Sequence, residues 1–172
     1  DNLRIGLMGV GGVCAAVHYP GLSRIPGVTI QAICDPNAEL VSSRAAEWGV
    51  SSSFTNVGDL LAEGLDAVVI ATPNDQHRPL IEAALDAGCH VLCEKPLGMS
   101  LSETIAIYEK AEASGLRHMT AFTYRFVPAM NYLRHLVHTG VLGEIRHARV
   151  QRLQDWGEDA IGWRQYRQQA GL

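Results

Sequence analysis

Short apolar segments alternate with longer segments of mixed polarity over residues 1–122 of the chain. The apolar segments are unbroken, which is typical of strands in a parallel sheet that is covered on both faces. With helices between such strands, we predict a doubly wound α/β domain at residues 1–122. The predicted strands are Leu3–Met8, Val28–Cys34, Ala67–Ile70, His90–Cys93 and 118–121.

Helices are predicted between these strands, at residues 13–25, 37–48, 76–87 and 100–114. Pro20 lies inside the first helix and is expected to kink or end it, because proline has no N–H to donate. Ser100 and Glu103 have the spacing of a capping box at the start of the last helix.

The pattern changes after Phe122. Residues 128–139 predict an amphipathic helix, and residues 140–143 predict a turn. Residues 144–153 alternate polar and apolar side chains, which predicts a strand that opens a different sheet. No later strand is predicted to pair with it, so we expect residues 123–172 to be the beginning of an incomplete second domain of α+β type.

The composition indicates a folded protein, since 47% of the 172 residues are hydrophobic and 19% are charged. The net charge of -4 gives no electrostatic signature of nucleic-acid binding. No apolar run approaches the roughly 20 residues that a membrane span needs, and the start lacks the pattern of a signal peptide. We therefore expect a cytoplasmic protein.

The four cysteines lie in or beside apolar segments and lack the C-x-x-C spacing of zinc or redox sites. We expect them to be small buried hydrophobic residues, and we predict no metal site. They are Cys14, Cys34, Cys89 and Cys93.

A glycine turn at residues 9–12 joins the first predicted strand to the first predicted helix. In a dinucleotide-binding turn the glycines allow a tight bend and a close approach to the pyrophosphate, and the helix start supplies N–H groups. Cys14 is larger than the usual residue at the third small position. A tight turn without a ligand is the alternative. We predict cofactor contacts at Gly9, Gly11, Gly12 and Val13.

Asp35 ends the second predicted strand, where a carboxylate can accept hydrogen bonds from the ribose hydroxyls of the cofactor. It would repel a 2'-phosphate, so we predict NAD as the cofactor, with NADP possible. The alternative is that Asp35 only caps the helix that begins near Asn37.

Residues 71–74, Ala-Thr-Pro-Asn, end the third predicted strand, and His77 follows just inside the next helix. A loop at this position would lie along the cofactor, so we predict contacts from Thr72, Pro73, Asn74 and His77. A plain helix cap at Thr72 or Asn74 and a packed core histidine are the alternatives.

Glu94-Lys95-Pro96 follows the strand His90–Cys93. Ligands of open α/β sheets bind beyond the carboxyl ends of the strands, so a lysine at this position is placed for chemistry. As an ammonium group, Lys95 can stabilise an alkoxide or relay a proton. A surface lysine paired with Glu94 is the alternative.

Together these segments resemble the glucose-fructose oxidoreductase, inositol dehydrogenase and MocA family of NAD(P)-dependent oxidoreductases. The resemblance runs over nearly the whole chain and implies a Rossmann domain followed by a substrate domain. It is carried by Gly9-x-Gly11, Asp35, Ala71-Thr72-Pro73-Asn74 with His77, Glu94-Lys95-Pro96-Leu97, Tyr124-Arg125-Phe126-x-Pro128, Gly143-Glu144-Ile145 and Trp163-Arg164.

The resemblance implies reversible hydride transfer between nicotinamide and a secondary alcohol of a sugar or cyclitol. Lys95 would be the catalytic residue near the nicotinamide, with Glu94 and Pro96 holding its loop and Glu94 and Lys95 also near the cofactor. Thr123 stands where such proteins often carry Asn. Further residues expected to approach the cofactor or substrate are Arg125, Trp163 and Arg164.

Members of this family continue well beyond the position that matches Leu172, with an Asp and a His that complete the active site. We therefore expect the nucleotide-binding half with the start of the substrate domain, inactive alone, and a homo-oligomer when complete. An inactive NAD(P)-sensing regulator and a truncated protein with a partner of its own are the alternatives. Which alcohol is the substrate is not determined by these residues.

Overall fold

The computed structural model describes residues 2–153 and 166–170. Its sheet has six parallel strands in the order β3-β2-β1-β4-β5-β6. The strands are β1 Leu3–Met8, β2 Val28–Cys34, β3 Ser52–Phe54, β4 Ala67–Ile70, β5 His90–Cys93 and β6 His118–Thr120. The chain leaves β1 toward one edge and returns to β4 on its other side, so the predicted doubly wound sheet is confirmed.

The α-helices are α1 Tyr19–Leu22, α2 Ala38–Trp48, α3 Val57–Leu61, α4 His77–Asp86, α5 Leu101–Ser114, α6 Pro128–His138 and α7 Arg167–Ala170. Short 3-10 helices occupy Asn74–Gln76 and Thr123–Phe126. Three of the four helices predicted before residue 122 are confirmed within two residues at their ends, as α2, α4 and α5.

Each face of the sheet carries its own apolar core. Leu7 and Ile33 belong to one core, whereas their neighbours in sequence, Met8 and Cys34, belong to the other. Alternate residues of a strand point to opposite faces, so strands that are buried on both faces must be apolar throughout. This is the physical reason for the unbroken apolar runs.

The first helical segment passes through Pro20 without ending there. Cys14–His18 forms one π-helical turn, in which the Tyr19 N–H bonds to the Cys14 carbonyl oxygen, and α1 follows directly. A π-helical turn is wider than an α-helical one, which relieves the crowding that a proline ring causes against the preceding turn. The sequence predicted a kink or an end, and the structure has a widened turn.

The capping box at α5 is present in a modified form. Ser100 Oγ accepts a hydrogen bond from the Glu103 N–H at 3.2 Å, as predicted. The Glu103 carboxylate accepts from the Met99 N–H at 2.8 Å, one residue earlier than in the standard motif. The first bond satisfies one orphan N–H of α5, and the second satisfies the N–H of the residue that precedes the N-cap.

Two features differ from the sequence predictions. The short edge strand β3 was not predicted, because two of its three residues are serines, which carry little strand signal. The prediction of a strand at 144–153 was wrong: the described residues of this segment form no strand. Alternating polarity cannot by itself hold a strand that has no partner for its backbone hydrogen bonds.

The described residues fall into two compact units. The first comprises residues 2–121 and 166–170, and the second comprises residues 122–153. The second unit contains the 3-10 helix Thr123–Phe126 and α6. Helix α6 confirms the helix that the sequence predicted at residues 128–139. The domain limits of 1–122 and 123–172 stay a prediction. In the described part of the chain, no helix is both long and apolar enough to cross a membrane.

Candidate functional site

Four neighbouring strands end at the same level on the carboxyl edge of the sheet. Met8 of β1 pairs with Cys34 of β2 and with Ile70 of β4, and Ile70 pairs with Cys93 of β5. The next residue on each strand therefore lies beside its neighbours at this edge. These four residues are Asp35, Gly9, Ala71 and Glu94, in the spatial order of their strands.

A cavity of about 740 Å³ opens beside three of these strand ends. Its volume lies within the range of small-molecule and cofactor sites, and it lies where the strand order reverses, as expected for a doubly wound sheet. Its walls include Met8, Gly9, Gly11, Gly12, Val13, Cys34, Asp35, Pro36, Thr55, Val57, Ala71, Thr72, Pro73, Asp75, Gln76, Leu80 and Gln169.

Gly9 is required at the first turn position by two constraints. Its φ is +82°, and a Cβ added there would lie 2.8 Å from the Ala71 carbonyl oxygen. At Gly11 and Gly12, in contrast, an added Cβ would meet no described atom within 4 Å. The turn is therefore packed tightly against the next strand end at Gly9 and is open toward the cavity at Gly11 and Gly12, which suits the close approach of a pyrophosphate.

Asp35 ties the glycine turn to the end of β2. One carboxylate oxygen accepts from the Val10 N–H at 3.0 Å, and the other accepts from the Asn37 N–H at 3.0 Å. The N-cap of α2 is Asn37, whose side chain accepts from the Leu40 N–H. The alternative role of Asp35 as the helix cap is therefore wrong, and its carboxylate lies on the cavity wall.

The loop after β4 presents unused hydrogen-bonding groups. Thr72 Oγ1 and Asp75 Oδ1 are buried and have no hydrogen-bond partner among the described residues, and both residues line the cavity. Buried polar atoms in native proteins are nearly always paired, so these two are suited to a polar ligand. Asn74 is not among the described residues that line the cavity; its Nδ2 donates to the Ala170 carbonyl oxygen at 2.8 Å, and its buried Oδ1 has no partner among the described residues. Its contact with the cofactor stays a prediction.

Glu94-Lys95-Pro96 leaves β5 at the same sheet edge. Lys95 is exposed, and its backbone N–H donates to the Glu94 side chain at 3.2 Å. Neither Glu94 nor Lys95 is among the described residues that line the cavity. Their roles at the cofactor and the catalytic role of Lys95 stay predictions.

His18 contacts Glu94 and was missed from the sequence. Its Nε2 lies 2.9 Å from Glu94 Oε1, and both side chains are largely buried. Burial acts to raise the pKa of Glu94, but the hydrogen bonds from His18 and from the Lys95 N–H outweigh it, and the pKa is lowered. The carboxylate therefore stays ionised although its side chain is largely buried.

His77 is fully buried, and both of its ring nitrogens face backbone carbonyl oxygens. Nδ1 lies 2.7 Å from the Pro96 oxygen, and Nε2 lies 3.1 Å from the Thr72 oxygen. Carbonyl oxygens only accept, so a neutral ring donates to one of them and a doubly protonated ring to both. His77 lies behind the cavity wall, and its contact with a cofactor stays a prediction.

The remaining predicted residues lie elsewhere. Arg125 is exposed in the second unit, where it borders a hollow of about 300 Å³ together with Tyr124 and Arg134. Trp163 and Arg164 lie outside the described residues. The predicted contacts of these three residues with the cofactor or substrate therefore stay predictions.

Several cavity residues escaped sequence reasoning. Thr55 follows the unpredicted strand β3, so recognising that strand would have placed it at the carboxyl edge. Val57 and Leu80 form apolar parts of the cavity wall, and no sequence motif marks either of them. Gln169 reaches the cavity from α7, and nothing in its local sequence signals this.

The cysteines are buried free thiols, as predicted. Burial raises the pKa of Cys14 to about 12 and that of Cys34 to about 11, and it also raises the pKa of Cys93. Thiols with raised pKa values are poor nucleophiles and poor metal ligands. Among residues 2–153 and 166–170, no group of three or more potential metal ligands is found.

Comparison with known proteins agrees with this geometry. A family model, GFO_IDH_MocA, described as an oxidoreductase family with an NAD-binding Rossmann fold, matches residues 3–122. The chain is 32% identical to levoglucosan dehydrogenase of Pseudarthrobacter phenanthrenivorans, over 99% of this chain and 47% of that protein.

Two solved structures are similar as well. An oxidoreductase domain protein from Kribbella flavida is 37% identical, with a TM-score of 0.91 over 99% of this chain and 49% of that chain. A scyllo-inositol dehydrogenase from Lactobacillus casei, solved with NAD(H) and scyllo-inositol, is 27% identical, with a TM-score of 0.79 over 84% of this chain and 43% of that chain. The chain thus spans less than half the length of these relatives.

Proposed function

The chain belongs to the Gfo/Idh/MocA oxidoreductase family, and we propose that the whole protein is an NAD-dependent dehydrogenase of sugar or cyclitol alcohols. One observation carries the proposal: the open glycine turn and the Asp35 carboxylate face one cavity where the strand order reverses. This combination of backbone N–H groups and a carboxylate matches the two ends of an adenosine diphosphate moiety.

We assign the cofactor to the residues that line this cavity. The backbone at Gly11 and Gly12 is open and begins the first helical segment, so its N–H groups suit the pyrophosphate. Asp35 has further lone pairs for the ribose hydroxyls, and its negative charge opposes a 2'-phosphate. Thr72 and Asp75 offer unpaired polar atoms. These features support NAD over NADP.

When bound, the nicotinamide supplies a hydride acceptor or donor. Lys95 is exposed at the same sheet edge, where its ammonium group is free to approach a substrate oxygen and stabilise negative charge as the hydroxyl loses its proton. Glu94 is held by His18, so its carboxylate fixes the Lys95 backbone.

Replacing Lys95 tests this assignment. In the full-length protein, Lys95→Ala should lower turnover by about 10²-fold or more, because a charge is lost where an oxyanion develops. NADH affinity, measured by fluorescence titration, should change by less than about twofold, since the lysine is not needed for dinucleotide binding. Lys110→Ala removes a lysine that pairs with Asp86 and serves as the control. Equal losses of turnover and affinity would contradict the catalytic role.

The relatives also bear on the alternatives. All three proteins compared above are named as dehydrogenases or oxidoreductases, which favours an enzyme over a sensor. We further propose a cytoplasmic location and a homo-oligomer for the whole protein. Analytical ultracentrifugation of the full-length protein would test the second of these, and a monomer would contradict it.

A further inference from the structure

Two buried histidines from different helical segments contact the residues on either side of Lys95. His18 Nε2 lies 2.9 Å from the Glu94 side chain, and His77 Nδ1 lies 2.7 Å from the Pro96 carbonyl oxygen. We propose that His18 and His77 are positioning residues that hold the Lys95 loop from both sides. This inference rests on the proposed function of Lys95.

The loop needs such support because the sheet no longer provides it. Among the described backbone hydrogen bonds, the last one from β5 into the sheet is donated by the Glu94 N–H to the Ile70 carbonyl oxygen. Lys95 is exposed, so packing does not fix it. Its position therefore depends on the side chains that contact its two neighbours.

On one side, the Glu94 carboxylate is a bridge between His18 and the lysine backbone. One oxygen faces His18 Nε2, and the other accepts from the Lys95 N–H at 3.2 Å. His18 lies at the end of the π-helical turn that precedes α1, and only 7% of it is exposed. Hydrogen bonds to ionised groups are stronger than neutral ones, so this bridge is the stiffer of the two supports.

On the other side, His77 connects the Lys95 loop to the wall of the cofactor cavity. The same ring faces the Pro96 oxygen and the Thr72 oxygen, and Thr72 lines the cavity. The histidine thus relates the position of the lysine to the loop along which the nicotinamide half of the cofactor is expected to lie. A buried polar ring costs free energy unless it is hydrogen-bonded, and an apolar side chain would fill the same space without that cost. The contacts of His77 with the two carbonyl oxygens are therefore what a histidine adds at this position.

Hydrogen exchange measures the support without requiring activity. In the full-length protein, His18→Leu should raise the exchange rate of amides in residues 94–97 by about 10-fold, the change expected from losing one hydrogen bond. His77→Leu should do the same. His18→Gln and His77→Asn each keep a donor near the lost nitrogen and should restore most of the protection. His90→Gln is the matched control, since His90 accepts from the Arg117 N–H away from the loop.

Turnover is then compared with cofactor affinity, using myo-inositol or levoglucosan, whichever alcohol the full-length protein oxidises. The Leu variants should lower kcat by about 10²-fold, since a small displacement of a catalytic group has effects of this size. The NADH Kd should change by less than about threefold, and the thermal midpoint of the Gln and Asn variants should match that of the His90→Gln control.

The outcomes separate the two proposals. Unchanged exchange at residues 94–97 in the Leu variants overturns the inference. Faster exchange with unchanged kcat also overturns it, provided that Lys95→Ala has been found to lower turnover. If Lys95→Ala retains full turnover, the catalytic role of the lysine fails, whereas the exchange rates still decide whether the histidines hold the loop. Faster exchange, lower kcat and rescue by Gln or Asn support the inference.

Discussion

The loops after β1 and β5 leave the same edge of one sheet, but they are held in place by different means. At Gly9 the backbone packs against the next strand end so closely that an added Cβ would lie 2.8 Å from a carbonyl oxygen. At Lys95 the loop is held by the side chains of Glu94 and two buried histidines. One loop is fixed by the absence of a side chain, and the other by the presence of several.

The difference suits what each loop is proposed to do. A turn that binds a pyrophosphate through backbone N–H groups must leave the space above them empty, as it is at Gly11 and Gly12. A loop that presents a lysine must restrict a flexible side chain by fixing the backbone beneath it. Substitutions at each loop should therefore have different effects on stability, cofactor affinity and turnover.

The largest effect is expected at Gly9. Gly9→Ala should destabilise the fold by about 2–4 kcal/mol, because the left-handed backbone is unfavourable for alanine and the new Cβ meets backbone atoms that cannot move aside. Urea denaturation measures this change. Gly27→Ala is the matched control: its φ is +81°, but an added Cβ meets no described atom within 4 Å. It should cost only about 1 kcal/mol.

The difference in unfolding free energy between Gly9→Ala and Gly27→Ala measures the cost of the contact between the two strand ends, separately from the cost of the left-handed backbone. NADH affinity should fall with Gly9→Ala and remain unchanged with Gly27→Ala. Equal destabilisation by both variants would show that the contact at Ala71 contributes nothing.

A smaller effect is expected at Asp35. Asp35→Ser should weaken NADH binding by about 10-fold, the loss expected for hydrogen bonds to a charged acceptor, and should narrow the preference for NADH over NADPH. The two affinities can be measured by fluorescence titration. Asp59→Ser, in the first turn of α3, is the control. A variant that prefers NADH as strongly as the parent protein would remove Asp35 from cofactor selection.

Thr72 should affect the ligand and not the fold. Thr72→Val replaces a buried hydroxyl that has no partner among the described residues by a methyl group of similar size, so the free energy of unfolding should change by less than about 0.5 kcal/mol. NADH affinity should fall by about three- to tenfold if the hydroxyl binds the cofactor. Thr104→Val is the control, since that hydroxyl donates to the Ser100 carbonyl oxygen within α5. Unchanged affinity would leave Thr72 without a role at the site.

The two loops also differ in how far they were predictable from the sequence. The glycine turn and Asp35 carry local signals, because backbone conformation and strand ends constrain residue type where they occur. His18 and Glu94 are 76 residues apart, and their contact follows from tertiary packing alone. The same limit explains the missed strand β3, which has little signal of its own, and the wrong strand at 144–153, which had the right alternation without a partner.

The smallest effect is expected at the amino ends of the strands, where Arg4 and Asp66 form an exposed ion pair at 2.8 Å. Hydrogen bonds from Arg4 lower the pKa of Asp66 from 3.8 to about 2. A lowered pKa in the folded state stabilises the fold above the unfolded value, and this contribution is lost as the pH falls from about 4 to 2. Asp66→Asn should therefore unfold at a slightly lower temperature than the parent protein at pH 6, and the difference should shrink toward pH 2 and vanish below it.

Arg4→Gln should reproduce only part of this pH dependence, because the Arg4 backbone N–H still donates to Asp66 at 2.7 Å. The double variant should add little to Asp66→Asn alone, which already removes the ion pair. NADH affinity at pH 7 should be unchanged in all three variants, since the pair lies at the amino end of β1 and β4, away from the cavity. A loss of NADH affinity in these variants would show that the cofactor site at the carboxyl ends of the strands responds to changes at their amino ends. The effects at Gly9 and Asp35 would then no longer report on the cofactor loop alone.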